Sequence, residues 1–262
     1  MTDRKPLILL TNDDGIGAPG LYRLWAGLKN SCDLVIVAPS TEQSGSGLSI
    51  TTRRPLHITR VPWAENTRAY QVDGTPVDCV KLALKVICER KPDMIASGIN
   101  RGANTGRNLL YSGTVAGVIE GSIQGIPGIA FSCDDFSLPN YERGERFVMP
   151  MVEYLLKHPL PIGSFLNVTF PDQPGPIQGV KMTRQGRGYW AENPEERRHP
   201  EGHLYYWLGG ERKRDEEDDE SDVDLVAKGY LTAVPINVRE FTHRGELNER
   251  KEAFEQLFAG KV

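Results

Sequence analysis

The chain has 262 residues, enough for one large unit with a well-buried core. Its composition, 39% hydrophobic and 25% charged, is ordinary for a soluble globular protein. A formal net charge of −4 gives no whole-chain attraction for nucleic acid, so none is expected as a partner.

In chain order, "LILL" (7–10) is a short apolar run that ends at "TNDDG". Gly15, Gly17 and Pro19 follow closely and favour a buried strand and a turn. It is too short for a signal peptide or a membrane span, so a cytoplasmic protein without membrane contact is expected. Cys32, Cys79, Cys88 and Cys133 form no CxxC pair and no zinc spacing with histidine; free thiols in a reducing cytosol are expected. Leu21, Leu24, Trp25 and Leu28 recur as one apolar helix stripe, with Pro19 near the first turn. "DLVIVAP" (33–39) is a second buried strand, which makes a right-handed β-α-β unit.

"GTPVDCVKLALKVICER" starts a helix, with Thr75 as N-cap, Pro76 in the first turn and Asp78 closing a capping box. "PDMIASGIN" (92–100) reads as a strand, "SGTVAGVIEGSIQG" as a helix of small residues, "IPGIAFS" as a strand, "FVMPMVEYLLKH" as a helix and "SFLNVTFP" as a strand. The first two-thirds is therefore expected to be an α/β fold, a doubly wound and mostly parallel sheet. After Pro171, "GVKMTRQGRGYW" and "HLYYWLGG" alternate and are rich in aromatics, as in a β-hairpin arm. "GYLTAVPINV" is a return strand and "ELNERKEAFEQLF" a final amphipathic helix. The expected division is a single domain over 1–262, with an α/β core (1–170), a β-rich arm and return strand (171–240) and a C-terminal helix (241–262). Eight acids lie between Asp215 and Asp224 and read as a solvated loop.

Ligands of open α/β sheets bind beyond the carboxyl ends of the strands. Three polar clusters fall at such ends: "NDDG", "APSTEQSGSG" and "SGINRGANTGRNLLYSGT". Asp13 and Asp14 repel each other, and a divalent cation would offset them; Mg²⁺ and Mn²⁺ take hard oxygen ligands. Ser44 and Asn100 can complete the set. Taken alone, the two acids are better explained by capping before the 19–29 helix. In the third cluster Gly102 and Gly106 let backbone approach an anion, and the helix start at Ser112 and Thr114 offers N–H and hydroxyl donors. An ordinary capped helix after a glycine-rich loop accounts for the same residues, and "SGSG" (44–47) reads as a flexible turn. No Walker A loop, G-x-G-x-x-G opening or G-x-S-x-G elbow is present, and the five histidines lie outside the clusters. Metal-assisted hydrolysis of a phosphate ester fits what is left. A phosphatase with an aspartyl nucleophile of the haloacid-dehalogenase type needs D-x-D, whereas this chain has DD. A non-catalytic nucleotide or phosphate sensor would share the cradle without turnover.

"ILLTNDDGIGAPGL", "VIVAPSTEQSGSGLSIT", "GTPVDCV", "SGINRGANTG", "YSGTVAGVIEG" and "GIPGIAFS" resemble, in order, the signatures of the SurE family of stationary-phase survival proteins. The likeness is collinear over about residues 7–133 and looser to about 240. It implies a Rossmann-like core whose arm and C-terminal helix exchange between subunits of a homodimer or homotetramer. It implies hydrolysis of nucleoside 5′- and 3′-monophosphates, with some activity on short polyphosphate, using one divalent ion per subunit, Mg²⁺ or Mn²⁺. Its metal ligands fall on Asp13, Asp14, Ser44 and Asn100, with Asp13 or Asp14 orienting the attacking water. Its phosphate contacts fall on Asn104, Ser112, Gly113 and Thr114. Where many relatives carry an acid before "YSGT", this chain has Arg107 and Asn108. Arg184, Arg187, Tyr189 and Trp190 offer charge and stacking surface for a base.

Overall fold

A computed structural model describes residues 4–213, 215 and 219–259. In chain order the elements are β1 (Leu7–Thr11), α1 (Pro19–Leu28), β2 (Asp33–Pro39), β3 (Ile58–Val61), β4 (Arg68–Val72), α2 (Pro76–Leu82), β5 (Met94–Arg101), α3 (Gly113–Ile123) and β6 (Gly128–Cys133). Then follow α4 (Tyr141–Lys157), β7 (Ser164–Phe170), β8 (Val180–Met182), β9 (Tyr189–Arg198), β10 (Leu204–Lys213), α5 (Asp222–Ala227), β11 (Leu231–Asn237) and α6 (Arg244–Gln256). Nine strands form one sheet in the order β3-β4-β2-β1-β5-β6-β7-β11-β8, and β9 with β10 forms a separate ribbon. From β4 to β7 every neighbouring pair is parallel, and β3 and β11 run antiparallel to β4 and β7.

The two faces of the sheet follow from side-chain alternation. In β1, Ile8 and Leu10 join the apolar cluster of α1 and α4, while Leu7 and Leu9 join that of α2. Strands buried on both faces must be continuously apolar, which is why "LILL" carries no polar alternation. Each such Leu or Ile contributes about 2 kcal/mol by leaving water. After β1 the chain winds outward to β2 and β4, then returns to β5 on the other side of β1. The switch point of the winding is therefore between β1 and β5, where Thr11 pairs with Ser97.

Several expectations need correction. Residues 58–72 form β3 and β4, which extend the sheet beyond β2; β3 is the edge strand and is largely open to solvent. The helix from Thr75 is α-helical only to Leu82 and then widens into a π turn over 83–87. In the arm, the charged stretch "ENPEERR" is itself strand. Tyr189–Arg198 pairs with Leu204–Lys213, and the turn is 199–203. A two-stranded ribbon exposed on both faces has no need of apolar alternation, so charge patterning misleads there. The acidic run is not simply solvated: Ser221 caps α5, and Asp222 and Asp224 are buried at 1% and 2% exposure. Residues 216–218 of that run lie outside the described residues.

Candidate active site

Two of the three polar clusters meet at the switch point, beyond the ends of β1 and β5. The third, after β2, folds over them: the Gln43 N–H donates to the Asp13 carbonyl at 2.7 Å. Asn100 reaches the site through a local irregularity. The register of β5 against β6 slips between Ser97 and Asn100, and Gly98 there has φ +122°. A bulge of this kind re-aims the side chain that follows it.

α3 is drawn down onto the sheet by its small residues. A Cβ added at Gly117 would lie 2.9 Å from Thr11 Cγ2, and one at Gly121 would lie 2.3 Å from Ile95 Cδ1. This sinks the helix start against Asp13. A Cβ at Gly113 would lie 2.7 Å from Asp13 Cβ. The Thr114 hydroxyl is shared between Asp13 Oδ1 and Asn100 Oδ1, the latter at 3.2 Å. Ser112 caps the helix, its Oγ accepting from the Val115 N–H at 3.2 Å.

Burial dominates the electrostatics. Asp13 is 3% exposed, and burial raises its pKa against the Thr114 hydroxyl and the N–H groups of Thr114, Asp13 and Gly113, which lower it. Asp14 is pushed up to about 6, first by burial and then by the charge of Asp13, while the Arg101 N–H (3.2 Å, to Oδ2) opposes the rise. Among the described residues, no Lys or Arg side chain forms an ion pair with either carboxylate. The Arg101 guanidinium goes instead to Glu42, at 3.4 Å.

Asp13, Asp14, Asn100 and Thr114 are thus brought together, and Gly113 is the floor between them. Ser44 is at the rim and exposed, its Oγ donating to Glu42 at 2.8 Å. Asn104 is close but turned inward: its Nδ2 donates to Ser132 Oγ at 2.8 Å, and its carbonyl accepts from Asn167 Nδ2 at 2.9 Å. Gly106 serves the arm rather than an anion. Its N–H goes to the Asp222 carboxylate, and a Cβ there would meet the Gly188 carbonyl at 2.3 Å. Asn108 also ties the arm, accepting from the Trp190 N–H at 2.9 Å. Tyr189 and Trp190 are half exposed at this root, and Arg184 bonds the Asp219 carbonyl at 2.9 Å. Two residues escaped the sequence reading. Asp222 accepts from Gly186 at 2.7 Å as well as from Gly106, and only its place in an acidic run was visible. Ser46 carries a buried hydroxyl with no partner among the described residues, and its only signal was a position between two glycines.

The chain matches the family model described as "Survival protein SurE" over residues 8–192. It belongs to the SurE family. A protein named 5′-nucleotidase SurE from Protochlamydia amoebophila is 51% identical over 96% of this chain and 97% of its own length. One of the same name from Christiangramia forsetii is 41% identical over 90% of this chain and 92% of its own. The crystal structure of the SurE protein from Aquifex aeolicus superposes with a TM-score of 0.81 at 37% identity, covering 95% of this chain and 99% of that one. The sequence resemblance and the α/β architecture therefore hold over nearly the whole chain, well beyond the collinear motifs.

Proposed function

We propose that this chain is a 5′-nucleotidase of the SurE family that hydrolyses nucleoside 5′- and 3′-monophosphates, and short polyphosphate, with one bound Mg²⁺ or Mn²⁺. The observation that carries the reading is the pair of adjacent carboxylates at the switch point, crowded by burial and unpaired by any cationic side chain among the described residues. A divalent cation fits there. Asp13, Asp14 and Asn100 Oδ1 are hard oxygen donors converging on one place, and Ser44 is next to Gln43, which is bonded to Asp13. When bound, such an ion polarises a phosphoryl oxygen and acidifies its water.

The protein's own groups supply the rest. Thr114 and the first N–H groups of α3 fix Asp13, and the same helix start favours a phosphate beside it. Ser112 and Gly113 set that start, and Asn104 ties the loop after β5 to β6 and β7 through Ser132 and Asn167. Asp14 takes one hydrogen bond, on Oδ2, and its other oxygen is the one suited to orient the attacking water. The single SurE-like unit has its core in 1–170, and the arm and α6 reach toward a second subunit in a homodimer or homotetramer. The apolar side chains open on both support this: Tyr206, Trp207 and Leu208 on the arm, Phe254 and Phe258 at the end of the chain. Free cysteines fit a cytoplasmic setting. Among the described residues, no helix is long and apolar enough to cross a membrane.

The test is phosphate release from a panel of nucleoside 5′- and 3′-monophosphates with Mn²⁺, with Mg²⁺ and with chelator. Metal-dependent turnover on nucleotides is expected. Folded, metal-binding protein that turns over no phosphomonoester would instead favour a nucleotide sensor.

A further inference from the structure

Ser46 is held beside Asp13 by a loop built for the purpose. Gly45 and Gly47 flank it at φ +75° and +51°, a left-handed region that other residues adopt only with strain. The Ser46 N–H donates to the Gln43 carbonyl at 3.1 Å, and its carbonyl accepts from Ser49 at 3.2 Å. The Gly47 N–H donates to the Tyr111 carbonyl at 3.1 Å. The loop is thereby docked against the residues that lead into α3. The Ser46 Oγ is shielded from solvent and has no hydrogen-bond partner among the described residues. It lies 3.0 Å from the point where a Cβ on Gly113 would sit, and Asp13 Oδ2 lies 2.9 Å from the same point. Hydroxyl and carboxylate therefore both pack against Gly113, and they can do so only because residue 113 has no side chain.

An unpaired buried hydroxyl in a native structure calls for an explanation, and an absent ligand is one. The chemistry selects among ligands. Ser46 stands by the start of α3, which carries the N–H donors and the Ser112 cap. A tetrahedral phosphate carries acceptor oxygens in several directions, so it gains from donors on more than one element. Ser44, by contrast, is turned outward to Glu42.

Resting on the phosphomonoesterase reading above, we propose that Ser46 is a substrate-binding residue whose hydroxyl donates to a phosphoryl oxygen, opposite the N-terminus of α3. The two serines of "SGSG" then divide their work, Ser44 on the metal side and Ser46 on the phosphate side.

The experiment measures binding of inorganic phosphate, by calorimetry, to Mn²⁺-loaded wild type, Ser46→Ala, Ser46→Thr and Ser44→Ala, with Mn²⁺ affinity titrated separately for each. Ser46→Ala is expected to bind phosphate about tenfold more weakly, the loss of one hydrogen bond to a charged acceptor. Its Mn²⁺ affinity should stay within about twofold of wild type, and Ser46→Thr should recover most of the phosphate affinity. Ser44→Ala should show the reverse, with Mn²⁺ affinity falling first. Unchanged phosphate affinity in Ser46→Ala, where wild type binds phosphate, would overturn the assignment alone. An equal loss of Mn²⁺ and phosphate affinity in Ser46→Ala would also overturn it, as a metal-side role. Wild type that binds Mn²⁺ but no phosphate would overturn the phosphomonoesterase reading together with it.

Discussion

At the scale of single residues, the site is expensive to the fold. Two neighbouring carboxylates at the end of a buried strand are disfavoured as anions, and the raised pKa of Asp14, about 6 against a usual 3.8, expresses that cost. Between those values the native protein holds a proton that the unfolded chain has released. The stability from this group is therefore complete below about pH 4 and is lost as pH rises through about 6. With metal chelated, Asp14→Asn should raise the melting temperature at pH 7.5 by about 3 °C and leave it nearly unchanged at pH 4, as read by calorimetry. Asp222 is the opposite case, a buried carboxylate whose acceptor capacity is used by the N–H groups of Gly106, Gly186 and Val223. Asp222→Ala strands those donors and should cost about 3 kcal/mol, measured as a lower urea midpoint at constant slope. The sequence foretold the first pair and missed the second for one reason. Composition reports how many charges a segment has, not which of them face inward.

At the scale of elements, α3 is the part that makes the site. Its Gly113, Gly117 and Gly121 leave room for Asp13, Thr11 and Ile95, so the helix start lies within bonding distance of the strand end. Gly117→Ala should push α3 away from Thr11, destabilise the protein by about 1–3 kcal/mol and weaken Mn²⁺ binding, by urea unfolding and by metal titration. The helix, the strands beside it and their polar ends were legible, because buried parallel strands and capped helices obey short-range rules. That Asp13, Asp14, Asn100 and Thr114 come together was legible for the same reason: each is at an element's end. What was hidden depends on long-range packing. β3 has no buried face because it is the edge strand of the sheet, and β9 is charged because both its faces are open. Which serine of "SGSG" faces Asp13 is decided by the backbone turns at Gly45 and Gly47, and no pattern of residue types records those.

At the scale of the whole molecule, the sheet core is complete but two extensions are not. Nearly all of the β9–β10 ribbon is exposed, including Trp207 at 60% and Leu208 at 75%, and α6 buries none of its residues. The arm is nevertheless anchored to the site, through Arg107 to Gly188 (2.8 Å), Trp190 to Asn108 (2.9 Å) and Arg212 to Asp134 (2.8 Å). A partner that covers the ribbon would thus act close to the turn that leads into α3. The proposed homodimer or homotetramer predicts that replacing Trp207 and Leu208 together by lysine shifts the protein to a monomer in light scattering, with the far-ultraviolet circular dichroism of the core retained. The central claim is narrower than any of these: the ends of β1 and β5 build one divalent-cation site for phosphate chemistry. Its most direct test is a crystal grown with Mn²⁺ and examined by anomalous diffraction. One strong peak within coordination distance of Asp13, Asp14 and Asn100 is the expected result. Fully ordered carboxylates with no peak there, in crystals of protein that turns over nucleotides, would contradict the account.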